Sequence, residues 1–568
     1  MTHATIAARA SVQHKISVLV RLSCLAFWVI TGAASALAGD GPRTSSLQHD
    51  EPGNYPPIFK GQVSDLCTSG VSSGFPCKNV ELLSRLALGD VGGGSGADSW
   101  GWKDLENNRY YALLGRSTGT SFVDVTDPTA PVYLGNLPSN AGSSSWRDVK
   151  VYANHAFIVA DRIAGHGMQV FDLTRLRGVN SPQTFTVDTL YSNVGPAHNI
   201  AINEDSGFAY IVGADECAGG LHMVDVSDPK SPAFAGCFSA DGYTHDVQCV
   251  TYSGPDTDHQ GDEICFASNE DSLTIVNVSN KAAATMLGKV DYPLVGYSHQ
   301  GWLDGSQAVF FMGDEADELT VGMNTRTLIF DVSDLENPVF QSAYQHSTSA
   351  IDHNLYVRGN LVFQANYLAG LRILRIDHGK QIELTEVGYF DTAPELDALE
   401  FDGAWNVYPF FDNGTILVSD ISSGLFVLST SLADDPAANA PINGSTSGLW
   451  VADGLNDQGI TIFVGEDDFG PYLFYSWMIY LDGAPFWLTG AAHFEYGDDE
   501  VTIPTERLSG LDFLTISPDT AERVDIGPLT LHVHGCDDIH ISYDFVGLGS
   551  QELDFHRLVA GPDGECPQ

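Results

Sequence analysis

Gly119-Thr120-Ser121-Phe122-Val123-Asp124-Val125-Thr126-Asp127-Pro128 decides the fold, because relatives of this stretch return until residue 430. They are Gly167 to Thr174, Gly220 to Pro229, Ser272 to Asn280, Thr327 to Asp334, Gly370 to Asp377 and Gly424 to Thr430. Taking Phe122, Gln169, His222, Leu273, Leu328, Leu371 and Leu425 as equivalents, the steps are 47, 53, 51, 55, 43 and 54 residues. A period of this length belongs to a propeller or a solenoid. The second repeat breaks into four strand-like pieces, Asp148 to Tyr152, Ala156 to Ala160, Met168 to Leu173 and Thr184 to Leu190. Four strands per repeat make a propeller blade. Asp124, Asp172, Asp225 and Asp331 end the third piece of their repeats, where an Asx side chain bonds the backbone ahead and turns the chain.

The last repeat, from Gly403, supplies three strands and then runs into the polar stretch 431–447. Asn79 to Leu88 near the start is an orphan strand that resembles the fourth-strand segment Pro131 to Leu137. Placing it on the last blade closes the ring and removes the open sheet edges. The expectation is therefore an all-β protein whose residues 79–430 form a seven-bladed propeller closed by an N-terminal strand. A linker, 431–447, leads to a second region, 448–568, whose segments Ile460 to Val464, Leu473 to Leu481, Phe486 to Leu488, Leu529 to Val533 and Ile539 to Phe545 predict a small antiparallel β domain.

Upstream of the repeats, Arg9, Lys15 and Arg21 precede the apolar run Leu22 to Ile30, and small residues end in Ala36-Leu37-Ala38. That order reads as a secretory signal peptide, residues 1–38, cleaved before Gly39, rather than a membrane anchor. Residues 39–78 read as an exposed leader with a short cysteine loop. Removing 1–38 takes three of the 26 basic residues and none of the 73 acidic ones, so the formal charge moves from −47 to −50. Such acidity argues against a nucleic-acid partner. No later stretch is apolar enough to span a bilayer. Eight cysteines follow the signal segment, an even number suited to an oxidising compartment. Sequence neighbours pair Cys67 with Cys77, Cys217 with Cys237, Cys249 with Cys265, and Cys536 with Cys566.

Several motifs inside the repeats carry a wider resemblance: Ser99-Trp100-Gly101-Trp102, Leu114-Gly115-Arg116-Ser117, Gly142 to Asp148, His166 to Leu173, Gly242-Tyr243-Thr244-His245-Asp246 and Ile351-Asp352-His353-Asn354-Leu355. On these, residues 79–430 resemble the secreted propeller family called choice-of-anchor B, built from LVIVD-type repeats. The resemblance implies an exported propeller with a variable tail that often serves surface attachment, and it implies no defined activity. No apolar helix with a basic end follows the propeller here. Gly448 to Val464 and Pro485 to Gly490 instead resemble a small module at the ends of secreted proteobacterial proteins.

Chemistry is expected at the axial mouth. In a blade the first strand lies innermost, and its start faces the same rim as the end of the antiparallel second strand. First-strand starts carry His198, His245, His299 and His353 in four successive blades, with Trp102, Trp146 beside Arg147, and Trp405 in the others. Second-strand ends carry Arg116, Asp161, Asp215 with Glu216, Glu270, Asp314 with Glu315, Asn366 and Asp420. Four imidazoles among carboxylates suit a divalent transition metal, an arrangement that resembles carotenoid-cleaving oxygenases in its four axial histidines on a seven-bladed ring. Equally, each histidine can be a repeat-position residue bonding a neighbouring blade. The acidic loops 256–263 and 314–318 offer Ca²⁺ ligands or are simply solvated. Trp100, Trp102, Trp146 and Trp405 can stack a sugar or another flat ligand, or pack between blades.

Two readings follow. One is a secreted binding protein with the axial mouth, including Trp102, Arg116, Trp146, Arg147, Asp161, Trp405 and Asp420, receiving a protein, glycan or small molecule. The alternative is a metal-dependent hydrolase or oxidoreductase with His198, His245, His299 and His353 as ligands and Glu216, Glu270 or Asp314 as base.

Overall fold

The computed structural model describes residues 67–377, 381–396, 398–432, 442, 444–452, 459–467, 469–481, 484–494, 498–509, 522–533 and 538–560. The signal segment, the leader as far as residue 66, and Cys536 and Cys566 lie outside the described residues. Seven antiparallel sheets follow one another along the chain as propeller blades, and an eight-stranded closed barrel comes after them.

Six blades use strands consecutive in sequence. The seventh joins Ala404–Tyr408, Ile416–Asp420 and Gly424–Thr430 to Val80–Leu86 from the start of the chain. Val80 faces Thr430 and Leu86 faces Leu425 in antiparallel register. Arg85 fixes this seam, donating to the Ser423 carbonyl while its guanidinium lies 5.1 Å over the Phe426 ring. The repeated turn has the expected chemistry in four blades: Asp124, Asp172, Asp225 and Asp331 each accept from the backbone N–H two residues ahead, at Thr126, Thr174, Ser227 and Ser333.

Two segments differ from the sequence expectation. In the second blade the fourth strand is Thr189–Tyr191 alone, because Gln183–Thr184 pairs parallel with the first blade at Gly135–Asn136. Gly135 permits that approach: it has φ +128°, and a Cβ there would meet the Gln183 carbonyl oxygen at 2.0 Å. The cysteine loop is also no exposed leader. Val71–Ser72 and Phe75–Lys78 form a hairpin on the outer edge of the sixth blade, where Phe75 buries against Phe390 at 5.3 Å and Phe426 at 5.5 Å. Cys67–Cys77, Cys217–Cys237 and Cys249–Cys265 are disulfide-bonded.

The barrel runs from Gly448–Ala452 to Gly549–Ala560, and these two strands pair to close it. Alternation sets its inside: Ile460 and Ile462 are buried while Thr461 and Phe463 between and after them are exposed. Trp450, Tyr475, Leu488, Ile503, Leu529, Ile541 and Phe555 fill the interior, with the Tyr475 hydroxyl bonded to Thr505 Oγ1 at 2.5 Å. Among the described residues no helix is long and apolar enough to cross a membrane.

Candidate metal centre at the axial mouth

The innermost strands are tied by a ring of polar side chains, one per blade, most of them reaching the next blade. Asp98 accepts from Val149 N at 3.0 Å and Asp148 from Ile200 N at 2.7 Å. Asn199 donates to the His245 carbonyl at 3.0 Å, Gln300 accepts from Leu355 N at 2.8 Å, and Asn354 donates to Asn406 at 3.1 Å. Asn406 then donates to the Ser99 carbonyl at 2.7 Å, joining the seventh blade to the first. Asp246 holds the equivalent place in the fourth blade, and burial pushes its carboxyl up to about 6, with nearby Asp148 adding to the effect.

Two residues further along the same strands stand Trp100, Lys150, Trp302, Tyr356 and Tyr408. Their rings pack with Phe410 at 5.0 to 6.2 Å, so Trp100 belongs to an aromatic layer. Lys150 reaches back from this layer to Asp148 at 2.5 Å and Asp98 at 3.3 Å, with Nζ 4.7 Å over the Trp100 ring. Burial alone would lower the lysine's pKa; the Asp148 and Asp98 carboxylates outweigh it and hold the pKa well above the usual value.

One residue before the polar ring comes the position Ala97, Arg147, His198, His245, His299, His353 and Trp405. Its four imidazoles run in series, with centroids 4.4, 4.2 and 4.5 Å apart. His353 Nδ1 donates to the Trp405 carbonyl at 2.5 Å and His245 Nδ1 to the His299 carbonyl at 2.9 Å. A ring nitrogen against a carbonyl oxygen must carry the proton, so in each neutral ring Nε2 is the lone-pair nitrogen. His198 Nδ1 stands 3.1 Å from Asp161 Oδ2. Burial raises the Asp161 pKa, but this imidazole bond prevails and holds it below the ordinary carboxylate value.

Glu315 brings two of these rings to one carboxylate. His299 Nε2 lies 3.7 Å from Oε2 and His353 Nε2 lies 3.8 Å from Oε1, which also accepts from the Tyr367 hydroxyl at 2.7 Å. Ligand atoms of His299, Glu315 and His353 fall within 4.8 Å of one another, and all three residues are buried. Beside them Trp405 packs on His353 at 4.7 Å and shares a small apolar cluster with Ala97, Ile351, Tyr367 and Ile421. Glu270, at φ +61°, accepts from Ser298 N through its carbonyl at 2.8 Å, one residue from His299. A left-handed non-glycine here is a strained backbone next to the cluster.

Other candidate residues are engaged elsewhere. The first blade presents Ala97 at the histidine position, while Trp102 stacks on Tyr111 at 4.8 Å and donates to Asn154 at 3.1 Å. Arg147 turns away into the blade interface, donating to the Arg116 carbonyl, Ser139 Oγ and His166 Nε2, each at 2.9 Å. Arg116 is spent on Ser121 Oγ, the Gly93 carbonyl and Thr118 Oγ1. Trp146 lies beneath the Arg162 guanidinium at 4.1 Å. Asp420 accepts from Ser422 N and Ser423 N, and burial, with Asp402 near it, pushes its carboxyl up to about 6. Glu216 accepts from Gly195 N at 3.1 Å.

Asp314 accepts from the Tyr292 hydroxyl, Gly296 N, Tyr297 N and Ala316 N, so its oxygens organise a turn. Its neighbour Glu315 takes the place at the cluster. The loop 314–318 is also not a solvated acidic loop: Asp314, Glu315, Asp317 and Glu318 are at most 1% exposed. Arg326 donates to Asp317 at 2.6 Å, while burial pushes the Asp317 carboxyl up to about 7 and that of Glu318 up to about 11.

Two imidazoles and one carboxylate are a ligand set for zinc or iron that leaves coordination positions for water or another ligand. His353 fits such an ion: its Nδ1 proton is directed at the Trp405 carbonyl, the second-sphere arrangement that orients metal-binding histidines.

No curated protein matches the chain. Among solved structures it is similar to a protein from Lactobacillus plantarum (10% identity, TM-score 0.39, covering 53% of this chain and 85% of that one) and to a functionally unknown protein from Desulfotomaculum acetoxidans (12%, 0.38, 55% and 94%). It is also similar to Saccharomyces cerevisiae Sqt1 (7%, 0.42, 65% and 99%). With TM-scores under 0.5, none of the three bears on what this protein binds. Residues 194–239 and 260–292 match the LVIVD repeat, and with the seven sheets they make the chain a repeat β-propeller.

Proposed function

We propose that this protein is a secreted binding protein whose axial site holds one divalent transition-metal ion through His299, His353 and Glu315, with His245 and His198 extending the line of imidazoles. The carrying observation is that the Nε2 atoms of His299 and His353, on separate blades, approach the two oxygens of a single buried carboxylate. Three disulfides suit the oxidising compartment that the N-terminal segment implies. A set of three protein ligands leaves a position for water or substrate, and this favours a metal-dependent enzyme as the second reading. The bound ion would supply Lewis acidity. Tyr367 holds Glu315 by its hydroxyl, Trp405 walls the His353 ring, and the Trp405 carbonyl fixes the tautomer of His353.

Elemental mass spectrometry on natively secreted protein tests the proposal. The wild type is expected to hold about one equivalent of transition metal more than a His299→Ala/His353→Ala variant, and Glu315→Gln to hold less of that equivalent. Wild-type protein that, after incubation with Zn²⁺, Fe²⁺ and Cu²⁺, holds no more metal than the His299→Ala/His353→Ala variant would make the histidines blade staples. The mouth would then be a site for a protein, glycan or small organic ligand.

A further inference from the structure

In the fourth blade, the loop between Asp246–Thr251 and Glu263–Ser268 meets the Asp334 turn of the fifth blade. His259 stands there between two carboxylates: Nδ1 is 3.1 Å from Asp262 Oδ2 and Nε2 is 2.6 Å from Glu336 Oε1. Ligand atoms of Asp256, His259 and Glu336 lie within 4.8 Å of one another. Two of the three carboxylates are themselves held. Asp262 accepts from Asn277 Nδ2 at 2.7 Å and Ser279 Oγ at 3.2 Å, and Asp256 accepts from Leu335 N at 3.0 Å.

We propose that Asp256, His259 and Glu336 form a second metal site, separate from the axial mouth, that clamps the fourth blade to the fifth around a zinc-like divalent ion. Asp262 fixes the imidazole with the proton on Nδ1, the orientation that a carboxylate gives a metal-binding histidine, and aims Nε2 at Glu336 and Asp256. The imidazole selects a borderline cation over Ca²⁺ or Mg²⁺, which prefer oxygen ligands alone. Three carboxylates, Asp256, Asp262 and Glu336, gather around this one imidazole. Among the described residues no lysine or arginine pairs with any of the three. A divalent ion meets that excess of negative charge.

The geometry is near what zinc needs. Ligand bonds of about 2.0–2.1 Å in a tetrahedral arrangement put N and O roughly 3.3 Å apart, so Glu336 must withdraw by about 0.7 Å. Its side chain is 48% exposed and has room to do so. Water completes the coordination at this surface position.

Calorimetric titration of Zn²⁺ into chelator-stripped full-length protein tests the site. The His259→Gln variant is expected to bind one equivalent fewer than wild type, and Asp262→Asn to weaken that equivalent about tenfold or more. His299→Ala/His353→Ala keeps the equivalent, so the outcome is independent of the axial proposal. Near-UV circular dichroism identifies any variant that fails to fold, and the exposed Glu336→Gln, expected to weaken the same equivalent, serves as the second probe. Unchanged Zn²⁺ stoichiometry and affinity in folded His259→Gln or Glu336→Gln would overturn the proposal.

Discussion

Replacing Lys150 by methionine keeps the stem over Trp100 and removes the charge that two buried carboxylates share. Asp98 and Asp148 have side chains only 4% and 5% exposed. Burial already holds the Asp98 carboxyl well above its ordinary value. Burial pushes Asp148 the same way, but Lys150 and the Asp98 hydrogen bond prevail and keep it below the ordinary value, so it is the ionised partner. Without Lys150, Asp148 must either stay charged in a dry layer or take up a proton. Breaking a buried pair costs about 3–5 kcal/mol. Protonation caps that cost: from an unfolded value of about 3.9, neutralising one Asp costs about 4 kcal/mol at pH 7 and about 1.5 kcal/mol at pH 5. In the variant the folded pKa is raised above the unfolded one, so stability is lost as pH rises through the unfolded value toward the folded one. Urea unfolding followed by tryptophan fluorescence should show Lys150→Met losing about 4 kcal/mol at pH 7 and clearly less at pH 5, without a change in m. Asp148→Asn in the same chain should recover most of the loss, because an amide oxygen can still accept from Ile200 N. A loss below about 1 kcal/mol at pH 7, the same loss at both pH values, or no recovery would refute the reasoning.

Gly101→Ala should destabilise the propeller by about 1–3 kcal/mol or more, since its Cβ would meet Tyr408 Cε1 at 2.1 Å and Phe411 Cζ at 2.7 Å. A urea midpoint unchanged from wild type would show that the aromatic layer yields freely. His166 is buried against Arg147, and burial followed by that guanidinium lowers its pKa to about 4. The unfolded chain therefore binds the extra proton between about pH 6.5 and 4, and up to about 3 kcal/mol of stability is lost as pH falls through that window. His166→Asn should flatten the acid limb of a stability–pH profile, and an unaltered slope would place the titration elsewhere.

The seven-fold repeat and the paired cysteines 67–77, 217–237 and 249–265 were legible in the sequence because they are local, and the closing strand because the last repeat lacks its fourth strand. A period near 50 residues, a missing fourth strand and short cysteine separations need no knowledge of distant contacts. The position of His198, His245, His299 and His353 was legible for the same reason, since repeats place equivalent residues at equivalent depth. Trp102 was misplaced because the Ser-Trp-Gly-Trp motif offers two rings, and counting the strand start did not show that Ala97 takes the histidine position. Asp314 and Glu315 are adjacent acids at a strand end, and only the turn at 296–297, which consumes Asp314, sends Glu315 to the imidazoles.

Sequence by itself determined the architecture of this protein: strands from alternation, blades from the period, and ring closure from the leftover strand at Asn79. The tertiary structure decided which polar groups meet. Hydrogen bonds between blades join residues some 50 positions apart, as with His353 and Trp405 or Gln300 and Leu355. No local pattern fixes which side chain turns to backbone and which to the axis. That choice rests on which acceptors remain once the blades pack, and in this protein it leaves Glu315 between two histidines and His259 between two carboxylates.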